Sequence, residues 1–382
     1  MTERATIAYL SATASIAGGA EVSLINLIRG LDRSRFRPVM AVPGPGKLAD
    51  RVGNLGIEPE IIPMETRRRR HPFAFRRSQA AISRWLKREG AGILHANSFW
   101  APELAIPAAV RSGVPAIYHV RDFYERLDPA RASAFRSCSC VLAISRCVRD
   151  NVLALLPGLP VEVVYNAVDT AAIEAAAPDE SLRAEAGWQD AFVIGTASRI
   201  SPEKGQMDFL KAASAVAREH PAARFVVMGD SRFALRPDFA ARVEEECASL
   251  GLTGKVRFTG FVDDVAAVYK TMDVCVLASL REPFGRVVIE AMACGVPVVA
   301  TRSGGPEEII EHGKDGLLVD AGDPEAMAAA CLRIAGDSSL RDSLGAAGRQ
   351  SAVSRFSLEN ARQVERIYDM ILRGEPFAGE AG

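Results

Sequence analysis

Two carboxylates eight residues apart, Glu282 and Glu290, frame the stretch that is best suited to chemistry, residues 277–305. An apolar strand, a short loop, an apolar-periodic helix from Arg286 and a second strand predict a βαβ unit here. Loops of such units lie at the carboxyl edge of a parallel sheet, where open α/β sheets bind ligands. Free backbone N–H groups at the helix start would bind an anion between the two carboxylates. The arrangement suits a sugar nucleotide, although a solvated pair on an ordinary helix fits the spacing equally well.

A second loop in this half of the chain carries two cations, Arg199 and Lys204, directly after the apolar run 191–197. Two cations beside a helix start can neutralise a diphosphate, and arginine offers a planar fork of donors. The next two predicted strands end at Gly229 and just before Phe261. We therefore expect three glycine-bearing or cationic loops at one edge of the same sheet.

The first half of the chain begins with an apolar run, residues 6–10, then a small polar loop that ends in Gly18 and Gly19. A helix is predicted over residues 20–31. Glycines between a first strand and a first helix let the backbone approach a ligand closely. The pattern is not G-x-G-x-x-G, so the dinucleotide fingerprint of nicotinamide dehydrogenases is absent.

Polar side chains stand at the ends of two further predicted strands in this half. His95 and Asn97 close one strand, and His119 and Arg121 close the next. Parallel strands place these positions at the ligand-binding edge. A lone histidine at a strand end is more often structural than catalytic, and both interpretations stay open for His95 and His119.

The composition indicates an ordinary globular α/β protein. A chain of 382 residues predicts two domains, and strands that alternate with helices predict parallel, doubly wound sheets. The net charge of −1 gives no attraction to nucleic acid. Seven cysteines without a C-x-x-C motif indicate free thiols, and five scattered histidines suggest no metal site. Without a signal peptide or an apolar stretch of membrane-spanning length, we expect a cytoplasmic protein.

One basic segment, residues 66–88, contains nine arginines or lysines and no acidic residue. Its second part is amphipathic, with Phe75, Ile82 and Trp85 toward one side and arginines toward another. Basic amphipathic helices bind anionic surfaces, so this segment could contact an anionic acceptor or the inner face of a membrane. A solvated charged face is the alternative.

These motifs together resemble the retaining glycosyltransferases of family 4, which have the GT-B fold. The resemblance covers nearly the whole chain and is most specific in the second half. The segments that carry it are Glu282 and Glu290 in E-P-F-G-R-V-V-I-E-A-M-A-C-G-V-P-V-V-A-T, Arg199 and Lys204 in S-R-I-S-P-E-K-G, Gly260-Phe261 with Asp264, Gly304-Gly305-Pro306-Glu307, Gly316-Leu317-Leu318-Val319, Tyr165-Asn166-Ala167-Val168-Asp169 and Gly18-Gly19.

The resemblance implies two Rossmann-like domains that face each other across a deep cleft. We expect an acceptor-side domain over residues 1–168 and a sugar-nucleotide domain over residues 169–353. Residues 354–382 would form a return helix, which crosses back to the first domain, and a tail.

The resemblance also implies roles for individual residues. Arg199 and Lys204 would hold the diphosphate, Glu290 the ribose, and Glu282 the transferred sugar. His119 would lie beside the reacting carbon, so that His119 and Glu282 form the catalytic pair. The other donor-binding residues would be Gly18, Gly19, Gly229, Phe261, Phe284, Gly285, Arg286 and Val287. His95, Asn97 and Arg121 are the expected acceptor contacts.

The implied reaction transfers a sugar from a UDP- or GDP-sugar to a glycan, a lipid-linked molecule or a small molecule. The chain contains no D-x-D motif, so we expect no metal and no other cofactor, with Arg199 and Lys204 balancing the diphosphate charge. Two positions depart from the family pattern. Asn97 stands where many relatives have histidine. Arg286 stands where an aliphatic residue is common, and its side chain could contact a phosphate or point to solvent. A sugar-nucleotide epimerase, a phosphorylase and an inactive sugar-nucleotide-binding subunit remain alternatives.

Overall fold

The computed structural model of the chain describes residues 4–16, 18–185, 187–230 and 238–375. The chain divides into two units. One contains the residues up to Ala167 and those from Leu358 onward, and the other is Val168–Ser357. Each unit has its own parallel sheet and its own buried core.

The first unit is built on a sheet of parallel strands. These are β1 (Ala5–Leu10), β2 (Phe36–Val42), β3 (Glu60–Ile61), β4 (Ile93–Ala96), β5 (Ala116–Val120), β6 (Cys140–Ala143) and β7 (Val161–Val163). They are ordered β3-β2-β1-β4-β5-β6-β7. The helices between them are α1 (Gly19–Gly30), α2 (Lys47–Gly53), α3 (Pro72–Arg88), α4 (Pro102–Ser112), α5 (Pro129–Arg136) and α6 (Arg146–Leu155).

The second unit repeats this plan. Its strands are β8 (Phe192–Ala197), β9 (Ala223–Met228), β10 (Val256–Gly260), β11 (Val274–Leu277), β12 (Val298–Arg302) and β13 (Leu317–Asp320), ordered β10-β9-β8-β11-β12-β13. Its helices are α7 (Thr170–Ala175), α8 (Glu180–Glu185), α9 (Gln206–Glu219), α10 (Phe239–Ser249), α11 (Val265–Tyr269), α12 (Arg286–Ala293), α13 (Pro306–Ile309), α14 (Pro324–Gly336) and α15 (Ser338–Arg355). Strands covered on both faces bury nearly continuous apolar runs, as every residue of β8 and β11 does here.

The last helix of the described chain, α16 (Ala361–Leu372), belongs to the first unit. A single turn of 3₁₀ helix, Leu358–Asn360, precedes it and packs against α1. A Cβ on Gly30 would lie 2.4 Å from the carbonyl oxygen of Leu358, so only glycine permits this approach. Val364, Ile367 and Tyr368 of α16 are buried in the core of the first unit. The predicted return of the C-terminal helix to the first domain is therefore confirmed.

Two strands of the first sheet are short: β3 contains only Glu60–Ile61, and β7 contains only Val161–Val163. Neighbouring strands decide these lengths, because β3 and β7 lie at opposite edges of the sheet and each pairs on one side only. In the described part of the chain, no helix combines the length and apolarity needed to cross a membrane.

Candidate functional site

The sheet of the second unit reverses its strand order between β8 and β11, which are neighbours. Ligands of open α/β sheets bind outside the carboxyl ends of the strands at such a switch point. The loops that follow β8 and β11 meet there, and the backbone N–H of Leu280 donates to the carbonyl of Glu203 at 2.9 Å. The cationic loop and the first glutamate of the sequence motif are therefore neighbours.

Gly205 allows these two loops to touch. Its φ of +69° is a left-handed conformation that side chains other than glycine rarely adopt. A Cβ on this residue would lie 1.9 Å from the carbonyl oxygen of Ala278. Gly229, at the end of β9, makes the same kind of approach to the loop after β8, where a Cβ would lie 1.9 Å from the carbonyl of Ser198.

Lys204 and Glu282 form an ion pair at the centre of this junction. The Lys204 Nζ lies 2.8 Å from the Glu282 Oε2, and the Ser279 hydroxyl donates to the same oxygen at 2.9 Å. Only 17% of the Lys204 side chain and 11% of the Glu282 side chain are exposed. An ammonium group has three N–H donors, so this pairing holds Lys204 in place and leaves donors for an anionic ligand.

The backbone around Glu282 is fixed as well. Its N–H donates to the Ser303 carbonyl at 2.9 Å, and its own carbonyl accepts from the Gly305 N–H at 2.8 Å. A Cβ on Gly305 would lie 2.2 Å from the Cα of Phe284. The loop before α12 is thus held between β11 and the segment that follows β12.

Glu290 lies on α12, which starts after Gly285 with its φ of +101°. One carboxylate oxygen of Glu290 pairs with the Arg286 guanidinium, and the Tyr269 hydroxyl donates to the other at 3.3 Å. Arg286 therefore does not point to solvent, since only 13% of its side chain is exposed. Pairing with Arg286 orients Glu290, whose oxygens can still accept bonds from a ligand diol.

The remaining donor-binding candidates of this unit differ in exposure. Arg199 is open, with 45% of its side chain exposed and its Nη2 3.6 Å from Glu203 Oε1. Phe261 is 37% exposed and follows β10. The side chain of Phe284 is buried against Phe356, so only its backbone can face a ligand. The half-buried Val287 is in the first turn of α12.

The sheet of the first unit reverses its order between β1 and β4. Gly18 and Gly19 follow β1, and a Cβ on Gly18 would meet no atom within 4 Å. The backbone N–H of Gly18 donates to the Glu21 carboxylate at 3.2 Å. On the β4 side, the Asn97 amide donates to the Ala20 carbonyl at 3.0 Å and so ties the end of β4 to the start of α1.

His119, at the end of β5, is the most unusual polar side chain of this edge. It is 2% exposed, and its Nδ1 lies 3.1 Å from the Arg121 Nη2 and 3.3 Å from the His95 Nε2. Its Nε2 is buried without a hydrogen-bond partner, and no other buried side-chain nitrogen or oxygen in the described residues shares that condition. A buried polar atom without a hydrogen-bond partner costs free energy unless a ligand forms the missing hydrogen bond.

Burial and the neighbouring cation keep both histidines neutral. Burial is the main cause that lowers the pKa of His95 to about 3, and Arg121 adds to it. Burial, Arg121 and His95 lower the pKa of His119 well below its ordinary value, against a smaller opposing effect from the backbone of Val164. Neither ring is an acid at neutral pH, so His119 can act there only as a neutral donor or acceptor.

The three predicted acceptor contacts form a network behind His119. The Asn97 Oδ1 accepts from Arg121 at 3.0 Å and 2.8 Å, and Arg121 also bonds to Asn166. The His95 Nδ1 lies 2.7 Å from the hydroxyl of Tyr368, so both of its ring nitrogens face other side chains. His95 and Asn97 are fully buried. The geometry places both residues in support of His119 and Arg121 instead of at an open acceptor position.

The sequence pattern did not identify the two tyrosines of this network. Tyr368 joins His95 to Tyr9, whose hydroxyl lies 3.0 Å from that of Tyr368. In the sequence, Tyr9 is one residue of an ordinary apolar strand pattern, and Tyr368 lies 359 positions further along the chain. No local pattern links two residues this far apart, so only the tertiary structure could reveal them.

A separate cavity of about 570 Å³ lies against α3, α4 and α5 of the first unit. It contains none of the predicted site residues. Its lining combines apolar side chains, such as Phe75, with the arginines Arg68, Arg76 and Arg111. Across the described ranges, no three or more His, Cys, Asp or Glu residues are grouped so that they could hold a metal ion.

Comparison with known families accounts for both halves of the chain. Residues 17–172 match the model described as Glycosyltransferase Family 4, and residues 178–351 match the model described as Glycosyl transferases group 1. The lipopolysaccharide core biosynthesis glycosyltransferase LpsE of Rhizobium meliloti (strain 1021) is 29% identical over 370 residues, which cover 94% of this chain and 97% of LpsE.

Two further proteins extend the comparison. The N-acetyl-alpha-D-glucosaminyl L-malate synthase of Bacillus anthracis is 29% identical over 62% of this chain and 60% of its own length. Among solved structures, Anabaena HepE in complex with UDP-glucose superposes with a TM-score of 0.83 and 25% identity, covering 95% of this chain and 99% of that one. The same protein has been solved with UDP and glucose.

Proposed function

Because the chain belongs to glycosyltransferase family 4 and has the GT-B fold, we propose that it transfers a sugar from a UDP- or GDP-sugar with retention and without a metal ion. The acceptor would be a glycan or a lipid-linked glycan. The observation that carries the proposal is the Lys204–Glu282 ion pair at the switch point of the second sheet. The UDP-glucose complex of HepE and the name of LpsE support the donor class and the acceptor class respectively.

The donor would be held by charges that the fold has already oriented. Lys204 and Arg199 bind the diphosphate, and Glu282 stays beside Lys204 to contact the sugar. Glu290, oriented by Arg286 and Tyr269, accepts bonds from the ribose hydroxyls. Groups that are fixed before the reaction stabilise the negative charge of the leaving nucleoside diphosphate without reorganising when it develops.

The proposed reaction replaces one bond at the anomeric carbon. The bond to the diphosphate oxygen breaks, and a bond to the acceptor hydroxyl oxygen forms on the same face. The acceptor proton passes to the departing phosphate oxygen, so no side chain has to become charged. The neutral His119 supplies its free Nε2 to a polar atom of the transferred sugar.

A donor screen followed by product analysis tests this function. Melting temperatures would be measured with UDP-, GDP-, ADP- and TDP-sugars, since a ligand that binds only the folded state raises the melting temperature. The donor that stabilises the protein would then be incubated with candidate acceptors, and the anomeric configuration of the product would be read by proton NMR. An inverted product would dismiss the retaining mechanism but leave the transferase assignment intact.

Transfer should survive removal of divalent metals. Lys204 and Arg199 provide the positive charge that Mg²⁺ or Mn²⁺ would otherwise bring to the diphosphate. We expect protein treated with EDTA to keep its initial rate within experimental error. A rate that falls on chelation and returns when Mg²⁺ is added would contradict metal independence, and a rate that falls without recovery would indicate damage to the protein.

The surface of α3 would place the enzyme at an anionic membrane. Phe73 is 79% exposed at the start of the helix. Arg68, Arg76 and Arg77 are exposed nearby. Among the described residues, no ion pair engages Arg76 or Arg77, whereas the charge of Arg68 acts on the Asp128 carboxylate. An exposed aromatic ring among unpaired arginines suits the interface between lipid headgroups and acyl chains. The cavity beside Arg68 and Arg76 adds room for a lipid phosphate.

Binding to vesicles should depend on these residues. Replacing Arg76 with glutamine should weaken binding to vesicles that contain 30% phosphatidylglycerol about fivefold, since one such arginine contributes about 1 kcal/mol near an anionic surface. Arg333→Gln is the matched control, because Arg333 is an exposed arginine on α14 of the other unit. The proposed membrane-binding role of the α3 surface would be contradicted if both variants lost vesicle binding equally. It would also be contradicted if the protein bound vesicles of phosphatidylcholine alone as well as it binds the anionic vesicles.

A further inference from the structure

The C-terminal helix brings a hydroxyl group to the two histidines of the first sheet. Tyr368 on α16 lies 2.7 Å from the Nδ1 of His95 and 3.0 Å from the hydroxyl of Tyr9. Tyr9, His95 and Tyr368 are each 0% exposed. Every hydrogen bond among them therefore forms away from water, where an unmatched donor or acceptor is costly.

The direction of each hydrogen bond follows from Arg121. A guanidinium group can only donate, so the His119 Nδ1 that faces it must accept, and the proton of the neutral ring is on Nε2. The His95 Nε2 faces the same Nδ1, so it must carry a proton and donate it. The His95 Nδ1 then has no proton and accepts from the hydroxyl of Tyr368.

The hydrogen bond between Tyr9 and Tyr368 completes this series of donors and acceptors. Since the hydrogen of Tyr368 points to His95, its oxygen accepts from the hydroxyl of Tyr9. Donation thus runs in one direction, from Tyr9 through Tyr368 and His95 to His119. The Nε2–H of His119 is left as the only donor of this series that no acceptor reaches at hydrogen-bonding distance, and its direction in space depends on how His95 and Arg121 hold the ring.

We propose that Tyr368 is a positioning residue for the transfer reaction. Through His95 it holds the ring of His119 so that the Nε2–H meets an oxygen of the bound sugar donor. The C-terminal helix then contributes to turnover as well as to the stability of the first unit. This inference rests on the proposed function, because it takes His119 to act on the donor.

The first test compares two tyrosines that each lose a buried hydroxyl. Tyr368→Phe should lower kcat about tenfold, as expected for one lost hydrogen bond, and change the KM for the donor less than about twofold. Tyr118→Phe is the matched control, because Tyr118 is also buried and bonds to another tyrosine, Tyr124, at 2.7 Å without touching a histidine. It should keep the kcat of the unmodified enzyme. Equal losses of kcat in both variants would overturn the proposal.

A double substitution separates positioning from stability. Tyr368→Phe leaves the hydroxyl of Tyr9 buried without an acceptor, which should lower the melting temperature. The double variant Tyr9→Phe/Tyr368→Phe removes that unmatched hydroxyl, so its melting temperature should recover while kcat stays low. Recovery of kcat together with the melting temperature would show a purely structural role and overturn the proposal.

Nitrogen NMR gives a readout that does not require transferase activity. In protein labelled with ¹⁵N-histidine, the chain's five histidines give few enough signals to assign by single substitutions. His95 should show the tautomer protonated at Nε2, and Tyr368→Phe should shift it toward a mixture. An unchanged His95 signal would overturn the proposal. If His95 shifts but His119→Ala transfers sugar at the normal rate, the assigned role of His119 fails instead.

Discussion

Replacing Lys204 with alanine should weaken donor binding by about 2–4 kcal/mol, or roughly 30- to 800-fold in dissociation constant. The variant loses the cation that we propose to bind the diphosphate, and it leaves Glu282 as a buried carboxylate that still accepts a hydrogen bond from the Ser279 hydroxyl. An unpaired buried charge repels an anionic ligand as well as destabilising the fold. Isothermal titration with UDP or the donor found in the screen measures the effect directly.

The control for this experiment is Lys211→Ala. Lys211 is on α9 a few residues further on, 51% of its side chain is exposed, and its Nζ lies 3.7 Å from Asp208. Exposed pairs of this kind contribute little, so donor affinity should change less than about twofold. Wild-type affinity in Lys204→Ala would dismiss the assignment of Lys204 to the diphosphate. Glu282→Gln in the Lys204→Ala background should recover part of the lost stability, because it removes the unpaired charge.

The strand pattern could be predicted from the sequence because parallel strands in this fold are buried on both faces. Each therefore appears as a short apolar run with few polar interruptions, as β8 and β11 do. The ends of edge strands cannot be predicted in this way, because pairing with one neighbour, and not hydrophobicity, decides where β3 and β7 end.

The sequence was sufficient to predict which loops form the candidate site, but not how the side chains within it pair. Loops at the carboxyl ends of neighbouring strands must meet, so Arg199, Lys204 and Glu282 could be grouped without a structure. The partner of each charge could not be derived. Lys204 and Glu282 lie 78 residues apart, and a lysine beside a predicted phosphate site has no local signal for a carboxylate partner. The pairing of Arg286 with Glu290, by contrast, follows the i, i+4 spacing of a helix.

The junction of these loops also depends on a glycine. Gly205 has a φ of +69° and lies so close to the loop after β11 that a Cβ would meet the Ala278 carbonyl oxygen at 1.9 Å. Gly251 has the same φ of +69° at an exposed turn after α10, yet a Cβ there would meet nothing within 4 Å. The two glycines thus share a backbone conformation and differ in their surroundings.

Alanine substitutions at these two positions should separate the cost of backbone strain from the cost of a steric clash. Gly251→Ala should cost about 1–2 kcal/mol, the usual penalty of the left-handed conformation. In Gly205→Ala the new Cβ also collides with the backbone of the neighbouring loop. The free energy of unfolding should therefore fall by about 2–5 kcal/mol, and the Lys204 loop should move away from Glu282. Urea unfolding and melting temperatures give the stabilities, and titration with UDP gives the affinity. Because Lys204 lies next to Gly205, the weaker fold should be accompanied by a loss of UDP affinity that Gly251→Ala does not show. Equal stabilities and affinities in the two variants would mean that the two loops do not depend on their close contact.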